Sequence, residues 1–127
     1  MKKQIINEWF ERGRADLEVA KILLAKDEYL DVAVFHIHQA VEKYLKGFLI
    51  YKGWKLKKIH DIESLLTEVI NFDDEFQGCL DFSRKLTAFY YEERYPPGPV
   101  SSFSKKEIEK MLETAEDIIN NLKGRIE

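Results

Sequence analysis

The chain has 127 residues, which is the size of one ordinary domain and too short for two. Hydrophobic residues make up 45%, which excludes a disordered tail, and the net charge of −3 means that nucleic acid could bind only through local charge. The one cysteine, Cys79, excludes a disulfide framework and fits a reducing compartment. No segment approaches the roughly 20 apolar residues of a membrane span and no signal-peptide core opens the chain, so we expect a cytoplasmic protein without membrane contact.

Amphipathic periodicity predicts the first and last helices. Near the N-terminus, apolar residues recur at spacings of three and four, at Ile5, Trp9, Leu17, Ala20 and Ile22–Leu24. The C-terminal segment shows the same spacing from Ile108 onward. Ser104 and Glu107 form a capping-box motif at its start, where Phe103 and Ile108 are placed as a hydrophobic staple. Gly124 suits the end of this helix.

The middle of the chain predicts three further helices. Leu30–Lys52 runs for more than 20 residues without a helix breaker, which suits a central helix rather than a strand. The other two are a short helix capped by Asp61 and running through Ile70, and one that starts at Asp73 or Asp74 and runs through about Tyr91. The chain is therefore predicted to be a single all-α domain, residues 1–127, built as an up-and-down bundle of five helices around a four-helix core.

A polar stripe runs along the predicted central helix. At about 100° per residue its members fall within an arc of roughly 80°; they are His36, Gln39, Lys43 and Lys46, with Glu42 beside them. The rest of this helix is apolar almost all round, so the stripe is expected to face other protein or a groove. Two interpretations stay open: an interhelical ion-pair network together with a pair on the helix surface, and a polar groove for an anionic ligand.

Charge is segregated along the chain. From Lys43 to His60 there are six lysines and no acid, whereas from Asp61 to Asp81 there are seven acids and no Lys or Arg. Such polarity can steer phosphate toward one side or pair two copies head to tail. Two solvated faces would produce the same pattern.

The sequence contains few residues arranged to bind a metal or a cofactor. On a regular helix His36 and His38 lie about 200° apart and cannot chelate one ion, so we expect no metal and no cofactor. His60 with Asp61 is interpreted as a helix start, with half of a catalytic pair as the alternative. Cys79 is interpreted as a packing residue. The glycine-rich phosphate loops and the nucleophile elbow of common enzymes are absent from the sequence.

An arginine precedes the three prolines of the chain, which all lie in 96–99. Because proline stops a helix, Arg94 is expected near the end of the fourth helix, next to Tyr95. Its guanidinium can bind phosphate or carboxylate through two parallel hydrogen bonds. A salt bridge to Glu42 or another buried acid is the alternative role.

Three motifs together carry a resemblance to a known family. They are Phe35-His36-x-x-Gln39-Ala40-x-Glu42-Lys43-x-Leu45-Lys46, then His60-Asp61-Ile62 with Leu65-Leu66, and finally Arg94-Tyr95-Pro96. In this order, over nearly the whole chain, they resemble the HEPN domain, named for nucleotide binding in higher eukaryotes and prokaryotes. The resemblance implies an up-and-down helical bundle, a homodimer and, in prokaryotes, a gene paired with a minimal nucleotidyltransferase in toxin–antitoxin-like modules. The chain is also similar to the helical domain of kanamycin nucleotidyltransferase.

The chain departs from the motif of the catalytic members of that family. Many toxic HEPN proteins are metal-independent ribonucleases that use an arginine, four to six intervening residues and a histidine. The corresponding windows after Arg12, Arg14, Arg84 and Arg94 contain no histidine. Acid–base cleavage of RNA needs a group that exchanges a proton near neutral pH, so the sequence favours a domain that is not an enzyme.

The sequence therefore predicts a non-catalytic module that binds nucleotide or nucleic-acid phosphate and acts with a separately encoded minimal nucleotidyltransferase. The candidate binding residues are Gln39, Glu42, Lys43, Lys46, Arg94 and Tyr95, with His36 and His60 as secondary candidates. One alternative is a metal-independent RNA-cleaving toxin that uses a non-standard histidine, His36 or His60. The other is a structural or interaction protein whose polar stripe only packs.

Overall fold

Helices make up the fold in the part of the chain that the structure describes. This structure, a computed structural model, describes residues 2–55, 58–59, 61–94 and 104–126, without the side chains of 89–94. Its helices are α1 Lys2–Lys26, α2 Leu30–Tyr51, α3 Ile62–Phe72, α4 Leu80–Arg94 and α5 Lys105–Gly124, with a 3-10 helix, Asp74–Cys79, between α3 and α4. No strand occurs within these ranges. The all-α prediction is confirmed, and α2 ends one residue before its predicted end.

The central helix of the bundle is α2, which contacts each of the other four α-helices. Its largest fully buried side chains share one core with residues of α3, α4 and α5; those of α2 are Val34, Ile37, Leu45, Phe48 and Leu49. A helix that is covered on most sides must be apolar on most sides. The neighbours of α2 therefore explain why only one narrow stripe of its sequence is polar.

Two glycines allow α1 and α2 to pack at close range. A Cβ atom at Gly13 would lie 2.8 Å from the ring of Tyr44, and one at Gly47 would lie 2.5 Å from the ring of Phe10. Both separations are below van der Waals contact, so any larger residue would push the helices or rings apart. The two rings themselves lie 4.9 Å apart between centroids.

Left-handed residues end α1 and α2 abruptly. Gly53 follows α2 with φ of 94°, and the Trp54 N–H donates to the Leu49 carbonyl while the Gly53 N–H donates to Ile50. This is the Schellman arrangement of a helix C-terminus. At the end of α1, Asp27 occupies the equivalent position with φ of 55°.

Side-chain caps begin three of the helical segments, as the sequence predicts. The carboxylate of Asp61 accepts from the Glu63 N–H at the start of α3. Ser104 and Glu107 form the complete capping box of α5. The staple residue Phe103 lies outside the described residues.

Two local predictions need correction. Asp73 caps a helix as predicted, but that segment is a 3-10 helix and α4 begins only at Leu80. The tighter helix holds Phe76 in the core, 6.1 Å from the Phe48 ring. On α1, Ile5 and Ile22 are 43% and 52% exposed, because the face toward α2 is taken by other residues, namely Ile6, Gly13, Asp16, Leu17, Ala20 and Leu24.

Candidate functional site

A carboxylate of α1 joins two members of the polar stripe of α2. Asp16 is buried, and its two oxygens lie 2.8 Å from His36 Nδ1 and 2.5 Å from Lys43 Nζ. Because a carboxylate only accepts hydrogen bonds, both partners donate to it. The imidazole is thereby held with its Nε2 directed away from Asp16.

A second ion pair lies within α2 itself. Lys46 Nζ donates to Glu42 Oε2 over 2.9 Å, and both side chains are buried. The ammonium group also lies 5.4 Å from the ring centroid of Trp9, within the range of a cation–π interaction. A buried charge is stable only when an opposite charge or a polar group contacts it, because removal of either partner would leave the other buried and unpaired.

Pairing leaves the stripe with little free positive charge. Lys43 and Lys46 each contact a carboxylate, and Gln39 is half-buried on the same face of the helix. Within the described residues, the stripe thus contains both an interhelical ion-pair network and a pair along one helix. Binding of phosphate by the residues of the stripe stays a prediction.

The remaining predicted site residues fall largely outside the described part. Arg94 is the last residue of α4, as its place before the prolines predicts, but its side chain is not described. Tyr95 and His60 lie outside the described residues. Whether Arg94 faces Glu42 therefore stays a prediction.

Exposed lysines follow the C-terminus of α2. Lys52, Lys55 and Lys58 are exposed, in contrast to the two lysines of the stripe. Lys52 Nζ lies 5.6 Å from the ring centroid of Phe48. The hydrogen bonds around Gly53 fix the direction in which this turn leaves α2.

The acidic block is partly neutralised by residues distant in sequence. Arg125 binds Asp73 and, over 2.5 Å, Glu75, and its guanidinium carbon lies 4.7 Å from the ring centroid of Phe76. The pKa of Asp73 is lowered, first by the hydrogen bond from the Glu75 N–H and further by Arg125. In the same block, Glu63 accepts from Arg84.

The histidine, cysteine and carboxylate groups of the described residues do not cluster into a metal site. No group of three or more potential metal ligands occurs among them. His36 contacts Asp16 of α1, whereas His38 Nδ1 lies 4.0 Å from Glu42. Burial raises the pKa of the Cys79 thiol, which makes the thiolate scarce at neutral pH. No helix in the described ranges combines the length and apolarity needed to cross a membrane.

Asp16 is the site residue that the sequence analysis missed. It lies in the buried stripe of α1, three residues after Gly13 and four before Ala20. An acid at such a position signals an unseen cationic partner, because buried carboxylates are paired. The position of Asp16 among the buried residues of α1 indicates a cationic partner. It does not indicate that the partners are Lys43 and His36.

Comparison with known proteins identifies the family of the bundle. Residues 6–125 match the HEPN domain family, which is nearly the whole chain. The chain belongs to the HEPN domain family. The match includes α2 with its polar stripe and all five α-helices except the first residues of α1.

Relatives of this HEPN chain agree with the assignment. A protein of Methanocaldococcus jannaschii named "Putative toxin MJ1304" is 27% identical, over 91% of this chain and 84% of that protein. The crystal structure of TT1696 from Thermus thermophilus superposes with a TM-score of 0.83 at 25% identity, covering 95% and 98% of the two chains. ST0689, an archaeal HEPN homologue, gives a TM-score of 0.76 at 26% identity, covering 96% and 98%.

Proposed function

We propose that this HEPN domain is one component of a toxin–antitoxin-like module and binds nucleotide or RNA phosphate without cleaving it. The observation that carries the proposal is the family match over residues 6–125. The toxin name of the archaeal relative supports the module. The missing arginine–histidine motif supports binding without catalysis.

Exposed lysines supply the charge for phosphate in this proposal. The chain has a net charge of −3, yet Lys52, Lys55 and Lys58 lie close together in sequence at the end of α2, on a turn fixed by Gly53. Lysine binds phosphate as a compact point charge. Arg94 remains the candidate for a bidentate contact with phosphate. Gln39 remains the candidate for a hydrogen bond to a polar group of the sugar or base.

The salt dependence of RNA binding tests the proposal. Each neutralised phosphate of a single strand contributes about −0.7 to the log–log slope, so two to three contacts give a slope of about −1.4 to −2.1. Lys55→Gln and Lys58→Gln are each expected to reduce the slope by about 0.7. Lys26→Gln, which removes an exposed lysine at the end of α1, is the matched control. No binding at low salt would contradict the proposal.

The paired lysine of the stripe provides a second comparison. If Lys43 contacts phosphate, Lys43→Ala reduces the slope by about 0.7. If Lys43 stays paired with Asp16 when RNA binds, the salt dependence of RNA binding is the same for Lys43→Ala and the parent protein. In that case only the free energy of unfolding decreases. The second result together with absent binding would favour a structural protein whose stripe only packs.

The partner is tested genetically. We propose a homodimer that acts with a minimal nucleotidyltransferase encoded by a neighbouring reading frame. Expression of this chain alone is expected to slow growth, and co-expression of that neighbour is expected to restore it. Arg94→Ala tests whether the phosphate-binding chemistry of the proposal lies near the end of α4.

The contact between Asp16 and His36 favours one alternative, a metal-independent RNA-cleaving toxin. A carboxylate that holds one imidazole nitrogen leaves the other available as a general base. Under this alternative, pure protein degrades RNA in the presence of a chelator, and both His36→Gln and Asp16→Asn abolish the cleavage. Intact RNA after incubation with the folded parent protein would reject it.

A further inference from the structure

A cleft of about 240 Å³ lies between α4 and α5 and shares no residue with the polar stripe. Its lining residues are Phe82 and Lys85 of α4 and Glu107, Lys110, Met111 and Thr114 of α5. The volume is below the roughly 300–1,000 Å³ of pockets for drug-sized ligands. A ligand of this cleft would therefore be small.

The cleft has an apolar floor and a polar rim. Met111 is buried, and Phe82 is half-buried and packs against the core. Lys85 and Lys110, one from each helix, are exposed. An apolar surface between two cations suits a molecule with an apolar body and an anionic end.

The residues that line the cleft carry a net positive charge. Within the described residues neither Lys85 nor Lys110 forms an ion pair, whereas the neighbouring Arg84 contacts Glu63 over 3.2 Å. The one acid of the lining, Glu107, uses Oε1 to accept from the N–H and O–H groups of Ser104. The lining residues therefore carry a formal charge of +1 in a chain whose net charge is −3.

We propose that this cleft binds a small organic monoanion with an aromatic or aliphatic body, such as an aryl carboxylate. The carboxylate lies between the ammonium groups of Lys85 and Lys110, and the body lies against Phe82 and Met111. Thr114, whose hydroxyl donates to the Lys110 carbonyl, also lines the cleft. The site is independent of the proposed phosphate binding, because it uses none of the same residues.

Titration of the full chain with 4-phenylbutyrate tests the site. Nuclear magnetic resonance is expected to show saturable shifts of the Met111 and Thr114 methyl groups, with a dissociation constant on the order of 1 mM for a ligand of this size. The uncharged 4-phenylbutanamide has the same shape and is expected to bind at least fivefold more weakly. Equal binding of acid and amide would overturn the proposal, as would the absence of saturable shifts at these methyl groups.

Lysine variants distinguish binding in the cleft from binding caused by general surface charge. Lys85→Gln and Lys110→Gln are each expected to weaken binding about two- to fivefold, the range of one exposed ion pair. Both side chains are exposed, so the fold should be retained, and circular dichroism verifies this. Lys123→Gln removes an exposed lysine from the same helix without touching the cleft, and the dissociation constant should not change. Equal effects of the three substitutions would refute the site.

Discussion

Asp16 is a single residue on which the contact between α1 and α2 depends strongly. Its carboxylate is the shared acceptor of His36 and Lys43, and neither donor has a second carboxylate partner among the described residues. Loss of the acceptor would leave a half-buried ammonium group without compensation. The effect should therefore exceed that of an ordinary surface ion pair.

We expect Asp16→Asn to lower the free energy of unfolding by about 2 kcal/mol, the scale of a buried charged hydrogen bond left unmade. Urea denaturation measures the change. The control is Glu11→Gln on the same helix, where Glu11 and its partner Arg14 are 67% and 60% exposed. That variant should change stability by about 0.5 kcal/mol or less. Similar values for the two variants would show that Asp16 is not a special contact.

At the scale of helices and turns, Gly53 shows how backbone conformation determines where α2 ends. A Cβ atom at Gly53 would meet nothing within 4 Å, and the same is true of Gly78 in the 3-10 helix. The two glycines differ in that only Gly53 has a positive φ, of 94°. Substitution at these two positions therefore separates backbone strain from steric contact.

Gly53→Ala is expected to destabilise the protein by about 1 kcal/mol, because a Cβ atom clashes with its own backbone in the left-handed region. Gly78→Ala is expected to be neutral or to stabilise by about 0.5 kcal/mol, since it reduces the freedom of the unfolded chain. Thermal and urea unfolding of both variants measure the difference. A Gly78→Ala variant that loses as much stability as Gly53→Ala would contradict this explanation.

For the whole molecule, Arg125 connects the end of the chain to the segment between α3 and α4. A carboxyl whose pKa is lower in the folded than in the unfolded protein stabilises the fold above its unfolded pKa. That stabilisation disappears as the pH falls through the folded pKa. Asp73 is such a group, with a pKa below the ordinary value of 3.8.

We therefore expect the free energy of unfolding to fall as the pH decreases below about 4, and to fall less steeply in Arg125→Gln. Part of the dependence should remain, because the Glu75 N–H still donates to Asp73. Urea unfolding between pH 2 and pH 6 measures the slope. Arg12→Gln, which removes a guanidinium without a carboxylate partner in the described part, should leave the slope unchanged. An Arg125→Gln variant with the parent's pH profile would exclude this ion pair as a cause.

Association of two molecules is a prediction at the same scale. Opposed charge blocks allow one patch to meet its own copy across a two-fold axis, and the HEPN resemblance implies dimers. Sedimentation equilibrium at micromolar concentration is expected to show a dimer whose dissociation increases with salt, as charge screening requires. A single species of 15.0 kDa would contradict it.

The sequence by itself determined the parts of the fold that depend on near neighbours. The capping box of Ser104 and Glu107, the Asp61 cap and the bounds of α2 involve residues within a few positions of one another, so their spacing is enough to predict them. The family motifs likewise lie within short segments. The exact start of α4 was missed, because burial of Phe76 decides it and burial is not a local property.

Tertiary structure alone decided which charges are paired between different helical segments. Asp16 and Lys43 are 27 residues apart, and Arg125 and Asp73 are 52 apart. Such pairs depend on how closely and in which register the helices pack, which for α1 and α2 is permitted by Gly13 and Gly47. A helical wheel gives the direction of each side chain from its own axis but contains no information about the neighbouring helix. The sequence could therefore place the polar stripe, including the locally paired Glu42 and Lys46, on one face of α2. Only the packing of α1 against that face could pair His36 and Lys43 with Asp16.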